Sequence, residues 1–466
     1  MESIFSFQFY TLAFFISLFI YLGLSNSSIS SSNDYFSAGR DTKWYIAMFS
    51  IVATETSVLT FISVPGIAYR GNWYFLQLSL GYIVGRILVS KFLLPLYFSS
   101  NITSIYELIG KRYNKNLQQI ASVLFLCTRV LADGVRFLAT AVIVQVLTGW
   151  SLEISVLLIG FVTLLYSVSG GLKAILLIDS IQFLIYLFGG LIVVIFILFS
   201  ESFSGFQNLF EQQKFDIFKV VTDNFLYDPL FVINAFIGGV LLSFASHGVD
   251  YMMVQRVLSC KDLESAQKAM IGSGFFVLLQ FSIFLFAGSL IWQYMDGEIL
   301  LKDREFSTFV LEYLPLEMRS IMTIGVLSAA MSTLSSSINS LASSTVIDIF
   351  KQKLSLYKSR LISIFWAFIL ILIAIAFDEA DEALVYVGLR IASITYGGLL
   401  GIFLIYHINN KINSFQIVLG LISSVIAAII LLNLGIAWTL HILITLAVFI
   451  VISYLAHFLH LLIFRR

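Results

Sequence analysis

Stretches of about 18 or more predominantly apolar residues, punctuated by glycine and separated by short polar loops, recur along the whole of this chain. Each is long enough to cross a hydrocarbon core as an α-helix, and in lipid only a helix or a closed barrel satisfies its own backbone. The runs lack the ten-residue alternation of a barrel strand, and the 466 residues include only four prolines. With 59% hydrophobic residues, 12% charged residues and a mean hydropathy of +0.96, the chain reads as an all-α integral membrane protein. About thirteen membrane helices are expected, at 4–24, 44–69, 73–98, 118–148, 151–169, 174–199, 230–247, 268–294, 319–346, 360–377, 383–407, 413–433 and 438–462. The first run has no basic leader and no small-residue cleavage site, so it reads as a retained span. Cys127 falls in an apolar span and Cys260 in a loop, so neither a disulfide framework nor a cysteine metal site is indicated.

Lys+Arg equals Asp+Glu at 27 each, so total charge points to no nucleic-acid partner and the placement of charge carries the information. One set of alternate loops holds sixteen basic residues, among them Arg40, Lys43, Lys111, Arg112, Arg256, Lys351 and Lys411. The other holds six, with the acidic run Asp378 to Glu382. By the positive-inside rule the N-terminus lies outside and the C-terminus in the cytoplasm, in a cytoplasmic (inner) membrane.

Glu55, Arg86, Lys91, Arg129, Asp133, Arg136, Asp179 and Arg390 remain inside apolar spans, where an ionisable group is costly unless paired or hydrated. Lys91 and Arg390 read as snorkelling to an interface, and Arg86 as a structural ion-pair partner. Arg129, Asp133 and Arg136 share one helix face, so Asp133 can neutralise one guanidinium while the other needs Glu55 or an anionic substrate. A structural network and a substrate role both fit. Glu55 sits at midplane depth among small and hydroxyl residues, with Pro65 and Gly66 beyond it. Two readings are open there: a broken helix with freed carbonyls, or a continuous kinked helix whose hydroxyls bond back to the backbone.

"VLSAAMSTLSSSINSLASST", Val326 to Thr345, favours the break. Ser328, Ser332, Ser335, Ser336, Asn339 and Ser343 form a polar stripe at helical spacing, flanked by Thr333. Small residues also permit close helix packing, but packing does not require adjacent hydroxyls about 18 Å along the helix from Ser320. Neutral oxygens at that depth replace part of the water shell of a weakly held monovalent cation, and sodium fits best.

At these residues the chain resembles the sodium:solute symporter family. "SAGR" (Ser37 to Arg40), "ATETSVLTFISVPG" (Ala53 to Gly66), "ITSIYELIGKRYN" (Ile102 to Asn114), "YSVSGGLKAILLIDSIQ" (Tyr166 to Gln182), "VQRVLSCKDLESAQKA" (Val254 to Ala269) and "LSAAMSTLSSSINS" (Leu327 to Ser340) are similar to its signatures, in family order. The resemblance implies a LeuT-like core of two inverted five-helix repeats, 44–199 and 230–407, joined by a loop at 200–229. Residues 1–43 would add an N-terminal span and linker, and 408–466 two peripheral spans. It further implies a first sodium held by the carbonyls of Ala53, Thr56 and Ala329 and the hydroxyls of Ser332 and Thr333. Asp179 with Ser332, Ser335 and Ser336 matches a second sodium site found in some members; one ion with Asp179 tuning affinity is the alternative. The solute site would be bounded by Glu55, Ser57, Thr60, Gln77 and Arg136, with either Arg129 or Arg136 corresponding to the arginine that holds a carboxylate in sialic acid carriers. Trp73, Phe75 and Tyr251 are candidate lids.

The expected function is sodium-coupled import of a small organic solute by alternating access, driven by the sodium gradient and membrane potential. A carboxylate-bearing solute is expected if Arg136 is free, and a neutral sugar, polyol or zwitterion if it is neutralised. Two other classes fit less well. A symporter-like sensor would need a signalling domain, and the sequence ends at Arg466 just after its last span. An enzyme would need a catalytic motif, whereas His247, His407, His441, His457 and His460 are scattered and read as interface or loop residues. The implied partners are sodium, the solute and the lipid bilayer, with no organic cofactor and with a monomer sufficient.

Overall fold

The computed structural model describes residues 2–56, 58–350, 354–376, 384–408 and 411–464. Ser57, Lys351, Lys353, the Asp378–Glu382 run, Arg465, Arg466 and the side chain of Arg390 lie outside the described residues. Fifteen helices carry the architecture: α1 (Glu2–Ser25), α2 (Trp44–Glu55), α3 (Val58–Arg70), α4 (Leu76–Leu88), α5 (Lys115–Thr148), α6 (Leu152–Leu198), α7 (Val232–Gly248), α8 (Tyr251–Leu258), α9 (Leu263–Tyr294), α10 (Glu305–Glu312), α11 (Leu316–Ser344), α12 (Leu356–Ala376), α13 (Leu384–Ile408), α14 (Ser414–Asn433) and α15 (Trp438–Phe464). Among the described residues eight helices are long and apolar enough to span, or ten if each of two bent pairs counts as one span. The count of thirteen is therefore not reached on length and composition. α5, which carries Arg129, Asp133 and Arg136, is not among them, and α6 counts as a single 47-residue helix although its Gly171 leaves helical geometry.

Local chemistry explains the helix limits. Asn114, Ser151, Asp250, Asp262 and Asn413 each cap a helix by accepting a backbone N–H, and Asn413 forms a capping box with Gln416. Gly171, at φ 57° and ψ −159°, adopts a region open essentially to glycine, and this turns α6 from one apparent helix into two.

The two bent pairs position the site. α2 and α3 meet at 61°, and α7 and α8 at 62°. The Thr56 N–H still bonds the Val52 carbonyl, and its φ/ψ of −92°/83° then takes the chain out of the helix. The open choice at Glu55 thus resolves to a break. The second break, unexpected from the sequence, follows Gly248: Asp250 is extended and caps α8. Carbonyls freed there find partners in tyrosine hydroxyls, Tyr97 donating to Gly248 at 2.6 Å and Tyr106 to Val249 at 3.1 Å.

α4 and α7 approach almost backbone to backbone. A Cβ at Gly81 would lie 2.4 Å from the Phe236 carbonyl oxygen, one at Gly85 2.4 Å from that of Val240, and one at Gly239 2.4 Å from that of Leu78. At the end of the molecule carrying Arg70, the 200–231 loop folds over the bent pair. Lys214 donates to the Tyr69 carbonyl at 2.7 Å and stands 4.3 Å from the Trp292 ring centroid, while Arg70 pairs with Glu305.

Burial lowers the Lys214 ammonium from the ordinary 10.5 to about 8. The unfolded chain therefore holds that proton more tightly between those values, and stability rises with pH across the window. The melting temperature of the wild type relative to Lys214→Met should climb from pH 8 to pH 10.5. A flat difference would show that Lys214 does not titrate in that interval.

Candidate functional site

α11 is the shared wall of two polar clusters. On one face, Ser50 of α2 donates to Asp179 Oδ2 of α6 at 2.7 Å, and Thr54 shares a hydrogen bond with Ser336 at 3.0 Å. Ser336 also donates to Asp179 Oδ2 at 3.4 Å, so three helices converge on one carboxylate. One turn away, Thr333 Oγ1 lies 3.3 Å from the Ala329 carbonyl oxygen, and Ser332 Oγ is buried without a hydrogen-bond partner. Thr56 Oγ1 bonds both the Val52 carbonyl and the Tyr186 hydroxyl, leaving the backbone of the break as the source of further oxygens. Ala53, Thr56, Ala329, Ser332 and Thr333 are all buried, on helices joined directly by the Thr54–Ser336 contact. Buried neutral oxygens with an unused hydroxyl at a helix break suit a small monovalent cation.

The position read as a second cation site holds a cation of the protein's own. Arg256 of α8 approaches Asp179 Oδ2 at 3.5 Å and bonds Ser336 Oγ and the Met252 carbonyl. Its assignment to a basic loop is therefore corrected: the chain continues as α8 beyond the break, and Arg256 is fully buried. Ser335 turns back on the Ser332 carbonyl at 3.0 Å.

The second cluster lies between α5, α8 and α11. Arg129 meets Asp250 at 3.2 Å and Asp133 at 3.5 Å. Asp250 also accepts from the Tyr396 hydroxyl at 2.7 Å and from the Met252 N–H at 3.0 Å, so Arg129 is held in a closed network. Arg136 is held more loosely. Its NH1 stands 3.6 Å from Asp133, and its buried Nε and NH1 have no hydrogen-bond acceptor.

Glu55 pairs with Arg86, and His247 Nε2 lies 3.4 Å from the same carboxylate. Arg86 is the ion-pair partner it was read as; its other amino group donates to Ser273 at 2.8 Å. His247 is corrected from an interface residue to a fully buried member of this triad. Gln77 is also corrected. Its amide donates to the Tyr74 and Leu230 carbonyls at 2.8 and 3.0 Å, fastening the loop to α4 instead of facing solute. Thr60 is buried in α3. Among the candidate lids, Trp73 donates to Ser289 at 2.9 Å, Phe75 is buried, and Tyr251 pairs with Ser343 at 2.7 Å, about three turns beyond Ser332.

Asp250, Arg256, Ser50, Thr54 and Ser337 were missed. Polarity rises where a span is broken as well as where it ends, and "SHGVDYMMVQR" carries its polar groups across such a break.

Two discontinuous helices, each broken where buried polar groups gather, around a hydroxyl-rich helix define a membrane transporter of LeuT-like fold. A family model, the sodium:solute symporter family, matches residues 35–413, and the chain belongs to that family, whose members are transporters and not enzymes. It is 27% identical over 414 residues to the human sodium-coupled monocarboxylate transporter 2, covering 84% of this chain and 66% of that protein. It is 25% identical over 357 residues to a sodium/sialic acid symporter of Aliivibrio fischeri, covering 72% and 70%. It is 24% identical over 452 residues to a sodium/glucose cotransporter of Vibrio parahaemolyticus, covering 89% and 82%. The chain spans 64–66% of the length of the mammalian monocarboxylate transporters it matches. Among solved structures, a Na+-coupled sialic acid symporter in a substrate-bound outward-open state superimposes with a TM-score of 0.88 at 21% identity, covering 97% of this chain and 98% of that one.

Removing one member of a buried ion pair strands the other. Asp179→Asn should cost about 3–5 kcal/mol of stability, and adding Arg256→Gln should recover a large part of it. Denaturation of the single and double variants in detergent measures this, and additive losses would show that the two groups do not pair.

Proposed function

We propose that this protein is a sodium-coupled symporter that imports a small monocarboxylate-bearing solute by alternating access. The observation that carries the solute class is Arg136, whose guanidinium has two buried N–H-bearing nitrogens without an acceptor. Charge balance supports it. The midplane carboxylates Glu55, Asp133, Asp179 and Asp250 face the guanidinium groups of Arg86, Arg136, Arg256 and Arg129, so the cluster is formally neutral before any ion enters. One sodium makes it positive by one unit, and a monoanion restores neutrality in a medium that penalises net charge. The names of the human and Aliivibrio relatives, a monocarboxylate transporter and a sialic acid symporter, agree with a carboxylate.

The residues take these roles. Ala53, Thr56 and Ala329 offer carbonyls, and Ser332 and Thr333 hydroxyls, to a single sodium that ties α2 to α11. Arg136, Glu55 and Thr60 bound the solute. Asp179 tunes sodium affinity from the neighbouring turn, its charge already met by Arg256. Binding that favours one orientation of the bent helices couples ion to solute through differential affinity. The repeats at 44–199 and 230–407 each open with a broken helix. The N-terminus lies outside, the C-terminus in the cytoplasm, and the membrane is the cytoplasmic one.

A neutral sugar, polyol or zwitterion is the second reading. Asp133 stands 3.6 Å from Arg136 and offers it a partial counter-charge, and the Vibrio relative is named for glucose.

Membrane potential separates the two. One sodium with a monoanion moves no net charge, whereas one sodium with a neutral solute gains about 2.3 kcal/mol per 100 mV. In proteoliposomes, a panel of radiolabelled L-lactate, pyruvate, N-acetylneuraminate, glucose and proline should show sodium-stimulated carboxylate uptake with a Hill coefficient for sodium near ~1, insensitive to a valinomycin-imposed potential. Arg136→Gln should abolish that uptake, and Ser332→Ala with Thr333→Ala should raise the sodium requirement by about tenfold or more. Unchanged sodium dependence in the double variant would refute the ion site, and potential-driven uptake of glucose would select the second reading.

A further inference from the structure

We infer that Asp133 is a positioning residue that couples the solute-facing guanidinium of Arg136 to the sodium-facing turn of α11 through the hydroxyl of Ser337. The inference rests on the roles proposed above for Arg136 and for the Ser332–Thr333 turn.

Asp133 is buried at the junction of α5 and α11. Its Oδ1 faces Arg136 NH1 at 3.6 Å and takes no hydrogen bond, while its Oδ2 accepts from Ser337 Oγ. Counter-charge for Arg129 is shared: Asp250 meets Arg129 at 3.2 Å and Asp133 Oδ2 stands 3.5 Å from its Nε, which leaves Oδ1 to Arg136. What distinguishes Asp133 is its reach across the helix interface, with one oxygen toward each functional region.

Ser337 gives that reach two states. A hydroxyl carries one proton, and Ser337 Oγ has two oxygen acceptors in range, Asp133 Oδ2 and, at 3.0 Å, the carbonyl oxygen of Thr333, beside the weaker acceptor Met252 Sδ at 3.5 Å. Thr333 is itself a proposed sodium ligand, and its Oγ1 lies 3.3 Å from the Ala329 carbonyl, another. While Arg136 rests beside Asp133, it draws charge from the carboxylate and weakens it as an acceptor. A solute carboxylate that engages Arg136 removes that draw. Asp133 then holds the Ser337 proton, and the Thr333 carbonyl gives up a side-chain donor, which frees the turn carrying the Thr333 hydroxyl and the Ala329 carbonyl to adjust to the ion. Solute on one side and sodium on the other thereby favour the same arrangement of one proton. This is a coupling free energy with a physical switch, and it is reciprocal.

Sodium alone can test this, because Arg136→Gln mimics the loss of Arg136 from Asp133. Thermal stabilisation of the full-length protein is measured against NaCl, with choline chloride holding ionic strength constant. Arg136→Gln should lower the half-saturating sodium concentration by about fivefold, the lower end of typical coupling. In a Ser337→Ala background the same substitution should shift it by less than about twofold, and Arg136→Lys should stay within about twofold of wild type. A through-space charge effect would persist without the hydroxyl, so equal shifts with and without Ser337 overturn the coupling and leave the symport reading standing. Absence of any sodium-dependent stabilisation in the wild type overturns both.

Discussion

Among the described residues, Glu55, Arg86, Arg129, Asp133, Arg136, Asp179, Asp250 and Arg256 each face an opposite charge on a different helix or on the next turn of their own. In a low-dielectric interior an uncompensated charge costs several kcal/mol, so the pairs dictate which helices must be neighbours. Glu55–Arg86 joins α2 to α4, Asp179–Arg256 joins α6 to α8, and Arg129–Asp250 joins α5 to the turn between α7 and α8. Both broken helices are therefore pinned by charge at their breaks. Each also carries atoms that have left the helical ladder, so the ion pairs and the proposed ion-binding oxygens occupy the same depth for the same reason.

The hydroxyl helix α11 lets one element serve two kinds of ligand. Ser336 bonds Thr54 of α2 and Asp179 of α6, while Ser337 bonds Asp133 of α5. Small side chains permit neighbours on both sides, and their hydroxyls supply polarity without charge. One further buried carboxylate, Asp348, ends the same stripe about 18 Å from Ser336, satisfied by Ser104, Gln118 and Ser344.

Much of this was legible in the sequence, and the pattern of success is physical. Long apolar runs announce helices because lipid allows little else, and a run of Ser and Thr inside one is conspicuous against that background. At Glu55 hydroxyls, an acid, Pro65 and Gly66 crowd one segment, which leaves a break and a kink both open, and the hydroxyl stretch from Val326 to Thr345 favours the break. The break at Val249 was not readable, since Gly248 and Asp250 resemble an ordinary loop following a span. From that misreading came two others: Arg256 was assigned to a loop and Asp250 was not considered. Pairings were beyond reach for a different reason. The i, i+4 and i+7 spacing of Arg129, Asp133 and Arg136 puts them on one face, but which guanidinium is satisfied depends on Asp250, more than a hundred residues away. Gln77 looked like a solute ligand until the loop it fastens was in view.

The glycine contacts between α4 and α7 bear on how such a molecule could rearrange. Where Gly81, Gly85 and Gly239 bring two backbones together, there is no layer of side chains to repack and no room for either helix to slide. These two helices form a stiff block. Any reorientation must then carry the pair as one body against its other neighbours, α9, α13 and α15.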